Sequence, residues 1–244
     1  MVAAMKTPHD APLQERLNEH VAPVPLNKAY RLLNHGPTVL VSAAHGGVRN
    51  AMAAAWSCAL DFQPPKVTVV LDKATRTREL VEASGFFVLQ VPTAAQAALT
   101  HRLGNRSLHQ DPDKLAQAGA RLVDVAFPVD AGAGAGTDTS AGARAGAGPV
   151  PSSDRDLAAG TVPLVDGCAA WLVCRVLPEP RNQWIYDLFI GEVVAAWADA
   201  RVFSDGHWHF ESAPPALRTL HYVAGGQFYA IGESIVVPDT PAAS

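Results

Sequence analysis

Cysteine is scarce. The 244 residues hold three, Cys58, Cys168 and Cys174, too few and too scattered for a disulfide framework. Each lies in an apolar run, which predicts buried, reduced thiols. Long apolar stretches are missing too. The opening MVAAMKTPHD has no run that would make a signal peptide, and no segment approaches the roughly 18 apolar residues of a membrane span. A cytoplasmic protein with no membrane partner is the expectation. A basic excess is also absent: the formal net charge is −4, which argues against a general nucleic-acid surface. So are the common catalytic and nucleotide signatures. There is no G-x-x-x-x-G-K-[ST] phosphate loop and no G-x-G-x-x-G between a strand and a helix. There is no C-x-x-C, H-E-x-x-H or G-x-S-x-G. Any nucleotide must be held by another device.

What is present is a chain that is 48% hydrophobic, enough for a sizeable core. Residues 1–24 are polar and proline-punctuated and read as an arm. Residues 26–34 have helical spacing. PTVLVSAA is β-rich and HGG after it is a turn. KVTVVLD, following Pro64-Pro65, is a strand with a clean start, and FFVLQVP is another. TRTRELVEAS between them reads as a helix. Thr93 followed by Gln96 is a capping signature that starts a helix near Ala94. Asp111, Pro112 and Gly119 read as cap, first turn and stop of a further helix. RLVDVAFPV suggests a strand. CAAWLVCRVL and WIYDLFIGEVVAAWAD read as long paired strands joined by PEPRNQ, and shorter strands are expected at HWHFES and QFYAIGES. Residues 131–156 are Gly/Ala-rich and low in large side chains, which predicts a surface insert. Residues 237–244 are a tail, so 25–236 form one domain. The pattern is mainly β, with a few short peripheral helices and no βαβ alternation. A closed antiparallel barrel fits it.

One stretch resists composition alone. RNAMAAAWSCALDFQPP (residues 49–65) is alanine-rich, which favours helix, yet it has no polar stripe. The turn before it and the Pro-Pro after it favour a strand of small side chains that leaves room for something large and flat.

The order of these segments resembles the flavin reductase family, the FMN-binding split barrels that include flavoredoxin-like proteins and the reductase components of two-component monooxygenases. RNAMAAAW is similar to the family's Asn-x-Met-Thr-x-Ser-Trp strand, and LDFQPPKVTVVL to its Asp-Pro-Pro strand start. KATRTRELVEASGFFVLQVP is similar to its Lys-Ser-Ser-x-Thr-x-Glu-Leu-Ile segment and the strand after it. LGNRSLHQDPDKLAQAG resembles a segment ending in Asp-x-Asp-Lys-Phe, CAAWLVCRV one ending in Glu-Cys-x-Val, and IGEVVAAW the strand that follows. The resemblance covers residues 26–233 apart from the insert. It implies a Greek-key-like split β-barrel, a homodimer, and FMN as cofactor, with FAD as the alternative. It also implies NAD(P)H-dependent flavin reduction, hydride passing from the nicotinamide to flavin N5, for a monooxygenase or another electron acceptor. An FMN-binding electron carrier without its own NAD(P)H site is the alternative function. A non-flavin barrel binding metal or haem through His207, His209 and His221 is a third.

The residues suit a flavin. Ala53, Ala54 and Ala55 let the strand backbone approach the pyrimidine edge of an isoalloxazine. Asn50 both donates and accepts, and Met52 or Trp56 can pack on the ring, although either is equally at home in a core. In DKATRTREL, Lys73, Thr75 and Thr77 stand at a helix start, where unpaired N–H groups make a phosphate cradle. Arg78, His101, Arg106 and His221 are further candidate contacts. Ala53, Ala55 and Ala74 replace hydroxyl residues frequent in the family, which predicts looser binding. His207 and His209 form an H-x-H without an evident third ligand, and no metal is expected.

Overall fold

A computed structural model describes residues 17–29, 32, 38–127 and 161–235. The expected insert at 131–156, the tail, the first 16 residues of the arm, and residues 30, 31, 33 and 34 of the expected first helix lie outside the described residues. Strands dominate. In chain order they are β1 (Val21–Pro23), β2 (Val39–His45), β3 (Val48–Ala54), β4 (Ser57–Phe62), β5 (Pro65–Val70), β6 (Phe86–Val91), β7 (Leu122–Ala126), β8 (Thr161–Val165), β9 (Ala170–Leu177), β10 (Leu188–Asp199), β11 (Phe203–Ser204), β12 (His207–Trp208), β13 (Leu220–Ala224) and β14 (Gln227–Ala230). The helices are α1 (Leu26–Ala29), α2 (Arg76–Ser84), α3 (Ala97–Asn105), α4 (Lys114–Ala118) and α5 (Pro180–Tyr186). None is long and apolar enough to cross a membrane.

The main sheet runs β3-β2-β6-β9-β10-β5-β4, every pair antiparallel, with β1 added to the far half of β10. Its two terminal strands, β3 and β4, are consecutive in the chain and joined through Ala55–Trp56. The sheet therefore curls on itself, while β3 has β2 as its one pairing partner among the described residues. Half of the β3 backbone N–H and C=O groups thus face away from the sheet, unclaimed by a neighbouring strand.

Period-2 alternation splits the core in two. Val39, Val41, Phe87, Leu89, Leu172 and Cys174 pack on one face. Leu40, Phe86, Val88, Trp171 and Val173 pack on the other, against Leu103, Ala118 and β7–β8. Both faces of β6 are buried, which is why FFVLQV reads as an unbroken apolar run. The second layer is pinned through polar groups. Gln90 donates to Ser42 at 2.8 Å and accepts from Val165 N, and Trp171 Nε1 donates to Val165 O at 2.9 Å.

Three expectations need correction. Residues 184–186 are helical, not part of the long strand. Pro180 in the first turn is preorganised for helix, and Asp187, at φ 54°, stops it. The exposed Trp184 and Tyr186 have no sheet neighbour to reward their β propensity. Cys58 is exposed, unlike buried Cys168 and Cys174, because β4 presents alternate residues outward. The strand expected at HWHFES is two residues long and leaves His209 outside it. Other details hold with small shifts. Thr93 and Gln96 form the expected capping box, but the first turn is a 3₁₀ turn before α3. Gly119 ends α4 at φ 76° as expected, but the N-cap is Asp113 rather than Asp111, which accepts from Asp113 N, and Pro112 precedes the helix.

Candidate flavin site

Two adjoining clefts run along the outer side of β3. The first, about 230 Å³, is lined by Asn50 and Met52 of β3, Ala74 to Thr77 at the start of α2, the chain from Leu103 to Leu108, Gln110, and Lys114. The second, about 170 Å³, is lined by Thr38, Ala53, Ala54, Ala55, Thr100, His101, Tyr222 and Phe228. Gly104 and Asn105 line both, so the clefts are neighbours. A Cβ on Gly104 would stand 3.2 Å from Ala53 Cβ, a tight contact. Its absence lets α3 lie close to β3.

The first cleft is built for an anion. α2 is nine residues long, and its N-cap, Thr75, makes no side-chain cap bond. The Thr75 hydroxyl instead donates to Asp72 O at 2.8 Å. The N–H groups of the first turn of α2 therefore stay available to a ligand. Thr77 is fully buried, and its Oγ1 accepts from Asn50 Nδ2 at 2.9 Å. That satisfies one end of the Asn50 amide. Its other end, Oδ1, is buried without a partner.

Lys114 decides the sign of the site. It is 2% exposed, and its ammonium makes no hydrogen bond or ion pair among the described residues. Burial pulls its pKa down to about 8, partly offset by Asp111 acting through space. The nearest acid is already engaged: Asp111 accepts from Arg106 at 2.9 Å. Arg76 is likewise paired, with Glu79. A largely buried lysine with no hydrogen-bonded counter-ion among the described residues, lining the same cleft as a helix N-terminus, suits a ligand's negative charge.

The second cleft suits a flat ring. One wall is the small-residue backbone of Ala53–Ala55. The opposite wall is aromatic. Tyr222 and Phe228 pack 5.2 Å apart, and His101 meets Phe228 edge-on at 6.4 Å. The β13–β14 hairpin is tied down by Tyr222 N donating to Thr38 Oγ1 at 2.6 Å. Its Gly226, at φ +85°, lies against the His101 ring.

The model family "Flavin reductase like domain" matches residues 31–218. The chain belongs to the flavin reductase-like family. This flavin reductase-like protein is 38% identical over 216 residues to YddH of Escherichia coli (strain K12), an uncharacterized protein, covering 87% of this chain and 96% of that one. Among solved structures, an FMN-binding domain of a flavin reductases-like enzyme from Shewanella baltica OS155 is 55% identical, with a TM-score of 0.72 over 89% of this chain and 97% of the other. Flavoredoxin of Desulfovibrio vulgaris (Miyazaki F) shares the fold, with a TM-score of 0.58 at 19% identity over 98% and 100% of the two chains. The expected mainly β split barrel is therefore the fold of this protein.

Of the residues singled out in the sequence, Asn50, Met52, Thr75, Thr77 and Arg106 meet in the anion cleft, and Ala53, Ala54, Ala55 and His101 in the ring cleft. Trp56 stands just beyond, 73% exposed. Three others line neither. Lys73 pairs with Asp187 at 2.8 Å and lies over the Trp184 ring. His221 sits on β13 opposite Tyr229. Arg78 is 6% exposed and is bonded to Leu71 O, Gln183 O, Glu82 and Asp187. No group of three metal-ligating side chains occurs among the described residues.

Sequence reasoning missed Lys114, Thr100, Tyr222 and Phe228. Lys114 had a legible signal. It is the first residue of α4, where a positive charge opposes the helix dipole, a placement that calls for an anion nearby.

Proposed function

We propose that this protein is an NAD(P)H-dependent FMN reductase, acting in the cytoplasm and passing reduced flavin or electrons to an acceptor such as a monooxygenase. One observation carries the reading: the two clefts that adjoin along β3. Lys114 and Asn50, whose Oδ1 lacks a donor, line one cleft, and the small-residue, aromatic-walled cleft adjoins it. Phosphate, ribityl hydroxyls and isoalloxazine occur in that order in FMN. A phosphomonoester dianion matches a cleft lined by Lys114, Arg76 and Arg106 better than the singly charged phosphates of FAD. Bound flavin supplies the hydride-accepting chemistry. The protein's share is to hold phosphate and ring, and to present the ring beside an open face. Anaerobic mixing with FMN and NADH or NADPH tests this. Bleaching near 450 nm at catalytic rates is the expected result. Tight FMN binding without bleaching by either nucleotide would replace the reductase reading with that of an electron carrier.

We propose further that two copies associate through β4 and α5. Trp56, Leu60, Phe62 and Trp184 are 73%, 51%, 67% and 73% exposed, a concentration of large apolar side chains that a lone chain rarely shows to water. β4 ends the sheet. Trp56 O accepts from Val70 N, and the next residue, Leu71, donates to Asp187 O at the end of α5, so the strand and the helix share this end of the molecule. Ala55 of the ring cleft precedes Trp56, so a partner seated here borders the flavin. Light scattering of Phe62→Glu should show half the wild-type mass with an unchanged far-ultraviolet spectrum. A monomeric wild type would overturn the assignment.

A further inference from the structure

We propose that the Thr100 hydroxyl is a ligand-facing hydrogen-bonding group of the ring cleft, one that sets how firmly the isoalloxazine is held. The inference rests on the reading of this cleft as the flavin site. Thr100 lies on α3, is 1% exposed, and lines the cleft. Its Oγ1 is shielded from water and has no hydrogen-bond partner. That is unusual on two counts. Buried hydroxyls are nearly always paired. A helical threonine also has a ready acceptor in the carbonyl one turn back, here that of Gln96, and Thr100 does not take it.

Two other polar side chains of the cleft are engaged within the protein. Thr38 Oγ1 accepts from Tyr222 N. Asn105 Nδ2 donates to His101 O and contacts the His101 ring. The remaining lining residues are alanines, Gly104 and the rings of His101, Tyr222 and Phe228. To an occupant with ring nitrogens and carbonyl oxygens at its edge, Thr100 offers a buried side-chain hydroxyl that has no partner in the protein. Ala53 and Ala55 offer no hydroxyl on the facing strand, so the helix supplies what the strand lacks.

Thr100→Val removes the hydroxyl and keeps the shape. Relief of an unpaired buried hydroxyl should raise the melting temperature of the flavin-free protein. Binding, read by flavin fluorescence quenching, should weaken about three- to tenfold, the range of one neutral hydrogen bond. The loss should be equal for FMN and riboflavin, because the contact is to the ring and not the phosphate. Thr100→Ser should restore affinity. Wild-type affinity for both flavins in Thr100→Val would overturn the proposal while leaving the flavin site standing. A wild-type protein that binds neither flavin would overturn the reading beneath it instead.

Discussion

Replacing Lys114 with methionine should abolish most of the protein's preference for FMN over riboflavin. A charge-assisted hydrogen bond contributes about 1.5–3 kcal/mol, so FMN affinity should fall on the order of 10- to 100-fold. Riboflavin has no phosphate, and its affinity should stay the same. The flavin-free variant should melt higher than wild type, since burial of an uncompensated charge is removed and methionine fills a similar volume. Fluorescence titration with the two flavins separates this outcome from a folding defect, and equal loss for both would refute the phosphate assignment.

The same lysine gives the pH dependence a definite sign. In the flavin-free protein its pKa is lowered to about 8, while in the unfolded chain it titrates near 10.4. Between those values the unfolded state binds more protons, so stability of the flavin-free protein rises with pH across this window. Below about 8 both states are protonated and the cost of burying the charge is felt in full. Bound phosphate reverses the preference by holding the ammonium charged. FMN affinity should therefore decline as pH rises above about 8, in wild type and not in Lys114→Met.

How much of this was legible in the sequence depends on the kind of signal. The barrel strands announce themselves, since Val, Ile and aromatic residues alternate or run together between turn residues, and Pro64-Pro65 marks a strand start. The alanine stretch was resolvable as a strand from its neighbours. Positions that depend on tertiary company were not. Lys73 looks like a phosphate ligand beside Thr75 and Thr77, but Asp187, more than a hundred residues away, holds it. Trp184-Ile185-Tyr186 carries strand propensity, which Pro180 and the left-handed Asp187 override. Thr100 carries no signal in the sequence, and Lys114 only its place at a helix start. What distinguishes them is burial, of an unpaired hydroxyl in Thr100 and of most of the side chain in Lys114, a property of the folded chain.

Arg78 is the sharpest case, and its removal should be the most destabilising change among the candidate site residues. Next to Thr77 it reads as a ligand cation. In the fold its guanidinium donates to Leu71 O at 3.1 Å, Gln183 O at 2.9 Å, Asp187 at 2.6 Å and Glu82 at 2.8 Å, and it lies over the Phe189 ring at 5.2 Å. These bonds join α2 to the end of β5 and to the α5–β10 turn. Arg78→Ala leaves the Leu71 and Gln183 carbonyls and the Glu82 carboxylate without this donor, while Asp187 keeps Lys73. Losing a hydrogen bond from a charged donor costs about 1.5–3 kcal/mol, so losing the bonds to the two carbonyls costs about 3–6 kcal/mol, and for a chain of this size each kcal/mol lowers the melting temperature by about 2–4 °C. A fall of roughly 6–24 °C is expected in a thermal melt of the flavin-free protein. Arg78→Lys should recover little of it, because an ammonium reproduces the charge but not the planar fork that reaches several acceptors at once. At temperatures where Arg78→Ala stays folded, its FMN affinity should match wild type. A variant that melts normally but loses flavin would return Arg78 to the cleft as a ligand.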